Sequence, residues 1–401
     1  MSVTCRTKDK PELLSPSGDY EKLLMALHFG ADAVYLAGRE FGMRASSANF
    51  DDETLAKAVE LTHSLGKKLY VTCNTLPRED ELQRLPAYLE FLNSLRVDAL
   101  IIADLGVLQL AKKYAPDVAR HVSTQLGVVN SGTANFLYEQ GADTAVLARE
   151  LSVEEIRKIR ENTPKDLRLE TFVHGAMCVS FSGRCLLSNY LTGRDSNRGK
   201  CAQPCRWNYH LVEETRPNEY FEITEDKGTF ILNSNDMCMI EHLDDLMDAG
   251  VSSFKIEGRM KSAYYTACVT NAYRHAIDAF CEGKRPDEIW IRECDMVSHR
   301  PYSTGFFYGE PGQHYGTSSY SQDAEIVAVV ESCDDRGNAI LSQRNKFGSG
   351  ETLQLLTPES EPISFIAENV PEIVSHAMAE FEMKLPTPCN KYSIVRRLKN
   401  I

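Results

Sequence analysis

The chain has 401 residues, 43% of them apolar and 25% charged, and a net charge of −13. That length can bury a large core and allows one big domain plus a small one, while the composition excludes disorder, collagen and coiled coil. The acidic balance argues against a general polyanion-binding surface, because phosphate contacts draw their affinity from Lys and Arg.

The opening "MSVTCRTKDKPELL" has no apolar leader, and no run of 18 apolar residues follows, so the expectation is a cytoplasmic protein without a membrane span. From residue 11 to about 283, short apolar runs alternate with helical patterns. The strand candidates are "ELLSPS" (12–17), "AVYLA" (33–37), "KLYVTCN" (68–74), "ALIIAD" (99–104), "RHVSTQLG" (120–127), "TAVLAR" (144–149), "LETFVHG" (169–175) and "SFKIEG" (253–258). Between them lie helical stretches such as "DYEKLLMALHFG", "ELQRLPAYLEFLNSL", "SVEEIRKIREN" and the long "SAYYTACVTNAYRHAIDAFCEG", several closing on Gly. Eight strands alternating with eight helices predict an α/β fold, a (β/α)8 TIM-like barrel over 1–285. A doubly wound sheet is the alternative, weakened because no GxGxxG follows the first strand.

The alternation breaks once, after the seventh strand, where a cysteine-rich insertion spans 178–238. Its second half, "WNYHLVEETRPNEYFEITEDKGTFILNSND", reads as a hairpin or meander. Barrels build active sites at the C-terminal ends of their strands, so the insertion belongs on the reactive face. Residues 286–316, rich in Gly, Pro, Ser and Tyr, read as a linker. The alternating strands of 317–401, with "DDRGN" as a hairpin turn, predict a small C-terminal β-barrel domain.

Four of the chain's 12 cysteines fall within residues 178–205, and the five thiols of the insertion run C-x6-C-x15-C-x3-C-x32-C. In a reducing cytosol such a cluster holds metal or does redox chemistry more readily than it forms disulfides. Zinc knuckles generally use C-x2-4-C twice, and here only Cys201 and Cys205 approach one. An iron–sulfur cluster tolerates scattered spacing. Spacing leaves zinc, a cluster and inert buried thiols all open. Residues 178–206 also carry Arg184, Arg194, Arg198, Lys200 and Arg206 against Asp195 alone, a local charge of +4. Polar groups at strand ends include Asn74, Arg149, His174, Glu257 and Arg259, with Arg44 after the second strand.

The stretch "ETFVHGAMCVSFSGRCLLS" (170–188) resembles throughout the signature of the peptidase U32, or collagenase-like protease, family. "PELLSPSGDYEKLLMALHFGADAVYLAG", "FKIEGRMKSAYYTACVTNAYR" and "SHRPYSTGFFYG" are similar to it as well, so the resemblance spans nearly the whole chain. It implies an oxygen-independent RNA hydroxylase carrying a [4Fe-4S] cluster on four cysteines. Its closest type implies conversion of tRNA wobble uridine 34 to 5-hydroxyuridine, with prephenate as oxygen donor. By motif position the implied ligands are Cys178, Cys185, Cys201 and Cys238, with Cys205 as the alternative to Cys201. On that reading His174 and Glu257 are candidates for proton transfer, and Arg44, Asn74, Arg149 and Arg259 for binding substrate. Two carboxylates call for planar bidentate donors, hence arginine. Arg194, Arg198, Lys200 and Arg206 are expected to grip the tRNA anticodon arm. The family's label offers peptidase activity instead, although HExxH and G-x-S-x-G are both missing. Hydroxylation of another base, such as a ribosomal RNA cytidine, is the remaining alternative.

Overall fold

The computed structural model describes residues 10–399 except 44–48, 179, 182, 208–210, 213–219, 222–233, 313–319, 369 and 371–377. Arg44 and most of the expected meander therefore lie outside the described residues. Strands and helices alternate from the start: β1 (Glu12–Pro16), α1 (Tyr20–His28), β2 (Ala33–Leu36), α2 (Asp52–Ser64) and β3 (Lys68–Cys73). Then come α3 (Glu79–Leu82), α4 (Leu85–Ser94), β4 (Ala99–Ile102), α5 (Leu105–Tyr114), β5 (Ala119–Val122), α6 (Ser131–Glu139), β6 (Thr144–Val146), α7 (Val153–Glu161) and β7 (Arg168–Ala176).

Sequence marks many of these boundaries directly. Asp19, Asp51, Asp104, Asn130 and Ser152 each accept a hydrogen bond from the backbone N–H three residues on, opening α1, α2, α5, α6 and α7. Each such cap contributes about 1 kcal/mol. The helix expected over 81–95 is instead two, because Pro86 fits only the first turn of a helix and starts α4 afresh. The strand expected over 120–127 ends at Val122, and Thr124–Leu126 form a 3-10 turn capped by Ser123.

The insertion holds α8 (Leu187–Thr192), the antiparallel pair β8 (Leu211–Val212) and β9 (Tyr220–Phe221), and β10 (Asp236–Cys238). After α9 (Leu243–Asp248), β11 (Ser253–Ile256) pairs in parallel with both β7 and β1, closing β1 to β7 and β11 into an eight-stranded parallel barrel. Beyond the ring, β10 runs antiparallel to the end of β7, placing Cys238 opposite His174, and β12 (Tyr302–Ser303) adds to β10. The long α10 (Ala263–Cys281), capped by Ser262, lies against α1, and α11 (Glu288–Glu293) follows it with Trp290 buried.

The remaining strands are β13 (Ala324–Cys333), β14 (Asn338–Gln343), β15 (Thr352–Leu356), β16 (Ile363–Ile366), β17 (Glu380–Lys384) and β18 (Ile394–Leu398). They form an antiparallel half-barrel in the order β16-β15-β18-β13-β14-β17. The "DDRGN" turn joins β13 to β14, with the Asp334 carboxylate accepting from the N–H groups of Arg336 and Asn338. Val329, Leu356 and Ile394 belong to the same apolar core as the barrel's helical layer, so the half-barrel is packed onto it. Among the described residues, no helix is long and apolar enough to cross a membrane.

Candidate active site at the barrel mouth

Inside the ring, Leu14, Ala33, Tyr35, Tyr70, Ala99 and Ile101 make a core of their own. Beside it lies a buried ion pair, Lys255 Nζ to Glu170 Oε1 at 2.7 Å. The Lys255 ammonium also stands 4.7 Å from the centroid of the Tyr35 ring. Removing either charge would strand the other in a low dielectric, which costs about 3–5 kcal/mol. Lys255 lines a cavity of about 960 Å³ whose wall is built from strand ends, the place where such barrels bind ligands.

Those ends supply Thr72 on β3 and Asn74 just after it, Gln125 after β5, Arg149 after β6, Phe172 on β7, and Glu257 and Arg259 after β11. Arg149 donates to the Ala176 carbonyl at 2.9 Å, approaches Glu257 at 3.6 Å and lies 3.8 Å from the Phe172 ring centroid; its Nε is buried and has no acceptor among the described residues. Arg259 is buried, donating to Thr72 Oγ1 at 3.1 Å and to the Met43 carbonyl. Asn74 accepts from the Met43 N–H and donates to Gln125 Oε1 at 2.8 Å. These expected substrate residues therefore meet at one wall, already engaged with one another's neighbourhoods.

Gly175 sets how β7 leaves the barrel. Its φ is +107°, and a Cβ there would come within 2.5 Å of the Glu257 carbonyl oxygen, so only glycine lets β11 approach. The chain then turns into the cysteine segment, which is stitched to itself. Ser196 Oγ donates to the Cys185 carbonyl at 2.5 Å, the Ala202 N–H to Ser188 Oγ at 3.0 Å, and Arg194 Nε to the Lys200 carbonyl at 2.9 Å. Arg198 forks onto both oxygens of Glu81 at 2.9 and 2.6 Å, tying the segment to α3. That fork holds the Glu81 carboxyl down at about 2.

Folded this way, Cys178, Cys185, Cys201 and Cys205 all line the cavity. Burial pushes the Cys178 and Cys205 thiols up, and each would feel repulsion from the other thiolates of the set, while Arg149 acts against this at Cys178 and Arg206 at Cys205. Thiols so placed stay protonated until a cation takes the protons' place. Cys238, expected as fourth ligand, has other neighbours. Its sulfur and donor atoms of His174 and Cys294 lie within 4.8 Å of one another. The Cys294 thiol, and after it His174, hold Cys238 below the usual thiol range. That compact trio has the span of a single ion.

His174 is enclosed by Tyr265, Tyr273 and Tyr302, with Nδ1 3.3 Å from the Tyr273 hydroxyl, and it is not among the residues lining the cavity. Glu257 does line it. Of the expected RNA contacts, Arg194 and Lys200 are exposed, Arg198 is held by Glu81, and Arg206 donates to Gln203 Oε1 at 2.8 Å and to the Tyr320 hydroxyl at 3.1 Å. Phe181, Tyr190 and Trp207 are exposed beside them, with Tyr190 at 83%. Sequence reasoning placed Lys255, Arg259 and Lys261 where they could face phosphate or carboxylate, but missed Glu170 as the partner of Lys255, the place of Cys294, and the cation Arg300. Arg300 stands in the quoted "SHRPYSTGFFYG", which was the available signal; Cys294 stood alone in the sequence and offered none.

Comparison with known proteins agrees with the segment's signature. The family described as Peptidase family U32 matches residues 18–316, and the Peptidase family U32 C-terminal domain matches 322–396. The chain is 39% identical over 368 residues to tRNA hydroxylation protein P1 of Bacillus subtilis (strain 168), covering 90% of this chain and 87% of that one. It is 35% identical over 413 residues to tRNA hydroxylation protein P of Escherichia coli (strain K12), covering 92% and 91%. It is also 37% identical over 305 residues to the 23S rRNA 5-hydroxycytidine C2501 synthase of the same strain, covering 74% of this chain and 45% of that one.

Proposed function

The chain belongs to peptidase family U32, and from that premise we propose that it is an RNA hydroxylase acting on carbon 5 of tRNA wobble uridine 34. The observation that carries this reading is that Cys178, Cys185, Cys201 and Cys205 all line one cavity at the mouth of a parallel barrel. Those thiolates would hold a [4Fe-4S] cluster, with Cys238 as the competing fourth ligand. The cluster would supply the redox chemistry that oxygen-independent hydroxylation needs, with prephenate as oxygen donor. This chain's residues do the positioning. Arg149 and Arg259 set the polar wall, Glu257 offers a carboxylate for proton transfer, and exposed Phe181, Tyr190 and Trp207 give an unstacked base aromatic faces. Arg194 and Lys200 lie on the same surface and suit the phosphates of the anticodon arm.

Anaerobic purification followed by iron and sulfide analysis tests the cluster: about four of each per chain is expected, and a colourless zinc protein would remove it. Nucleoside analysis of tRNA from a deletion strain tests the substrate, with 5-hydroxyuridine expected to vanish and return on complementation. A loss of hydroxycytidine from ribosomal RNA, with tRNA unchanged, would assign the second base favoured by the ribosomal relative. Cleavage of collagen by the wild type but not by Cys178→Ala would favour the family's peptidase label.

A further inference from the structure

Beside the cysteines, three cations meet around one phenol. Arg206 Nη1 donates to the Tyr320 hydroxyl at 3.1 Å, and Arg300 Nη2 to the same oxygen at 3.5 Å. The Lys261 ammonium lies 4.5 Å from the centroid of the Tyr320 ring, and the Arg300 guanidinium 5.1 Å. Arg300 is only 2% exposed, yet its Nε and Nη1 have no acceptor among the described residues. A buried guanidinium with unmet donors is expensive, and natural proteins retain one where something else meets them.

The local charge has the same imbalance. Asp236 is one nearby carboxylate: its Oδ2 accepts from the Arg300 backbone N–H at 3.2 Å, and among the described residues its Oδ1 has no partner and it forms no ion pair with the three cations. Three cations against two carboxylates, Asp236 and Glu257, still leave a surplus of positive charge. Burial, and after it the mutual repulsion with Arg206, holds both Lys261 and Arg300 below their usual ranges. Arg206, Lys261 and Tyr320 line the cavity, and Arg206 and Arg300 are both within charge range of Cys205.

We propose that Arg206, Lys261 and Arg300, with the Tyr320 hydroxyl, form an anion subsite that holds a carboxylate of a small organic acid beside the cavity cysteines. The acid's role as oxygen donor rests on the function proposed above; the subsite itself does not. A small acid fits better than an RNA phosphate because Arg300 is itself only 2% exposed, where a polymer backbone cannot follow. Exposed Arg194 and Lys200 are the phosphate candidates instead. The subsite also differs from the Arg149–Arg259 wall, whose guanidinium groups are largely engaged by protein oxygens.

The test uses the full-length, anaerobically reconstituted protein, with calorimetric titration of prephenate and of malonate, and filter binding of an anticodon-arm RNA. Arg300→Lys keeps the charge but loses the planar fork, so it should weaken acid binding about tenfold, and Arg206→Gln about fivefold, with RNA affinity within about twofold. Should Arg300→Lys fail to fold, Arg206→Gln and Lys261→Gln carry the test. Unchanged acid affinity in the folded variants overturns the subsite, as does a wild type that binds neither acid. A loss confined to RNA overturns it too. A wild type that binds malonate but not prephenate, with malonate lost in the variants, keeps the subsite and removes prephenate as donor.

Discussion

At the scale of single residues, the cysteines divide by their neighbours. Cys178, Cys185, Cys201 and Cys205 share a cavity, whereas Cys238 faces His174 and Cys294 across β7 and β10. A serine in place of a cluster thiolate removes a ligand with little change of volume, so iron content reads the assignment directly. Cys205→Ser is expected to lose most of the iron, and Cys238→Ser to keep it while losing the thiol partner of Cys294. The reverse result, measured on anaerobically prepared protein, would return the fourth ligand to Cys238. The motif resemblance pointed to one member of the 201/205 pair. The structure brings both to the cavity because Gln203, in left-handed backbone, folds the C-x3-C stretch back on itself.

Among elements, the cysteine segment is held by contacts to its surroundings more than by regular structure. Among its described residues the α-helix is α8, six residues long and too short to be stable alone. The Arg198–Glu81 fork is the tie to α3, and its pH dependence has a definite sign. Glu81 titrates at about 2 in the folded chain against an ordinary value of 4.5, so the fork's contribution is complete above 4.5. It is lost as pH falls from there toward about 2. A carboxyl-detected NMR titration should place the Glu81 midpoint near the lower value. Glu81→Gln should raise hydrogen exchange across 194–206 above that of the wild type at neutral pH; equal exchange in the two proteins would show the tie to be idle.

For the whole molecule, the half-barrel is anchored by Arg396 on β18, which forks onto Glu293 of α11; both are essentially buried. Arg396→Met leaves Glu293 charged and unpaired, with an expected loss of about 3–5 kcal/mol. Denaturant unfolding should show that loss, together with a half-barrel that melts ahead of the barrel; a single unshifted transition would mean the apolar contacts of Val329, Leu356 and Ile394 suffice. The half-barrel also brings Arg344 and Lys399 to the cavity wall, so its loosening should cost activity as well as stability. What the sequence determined by itself was the barrel, because eight short apolar runs, alternating with capped helical patterns, are local signals that neighbouring residues carry together. It marked the insertion for the same reason, as a break in that alternation. Only the tertiary structure decided which thiols meet, which arginines are engaged internally, and that Lys261 and Arg300 join Arg206 at Tyr320. Those pairings link residues tens to hundreds of positions apart, and no local pattern encodes where ring closure and the packing of the half-barrel will bring them.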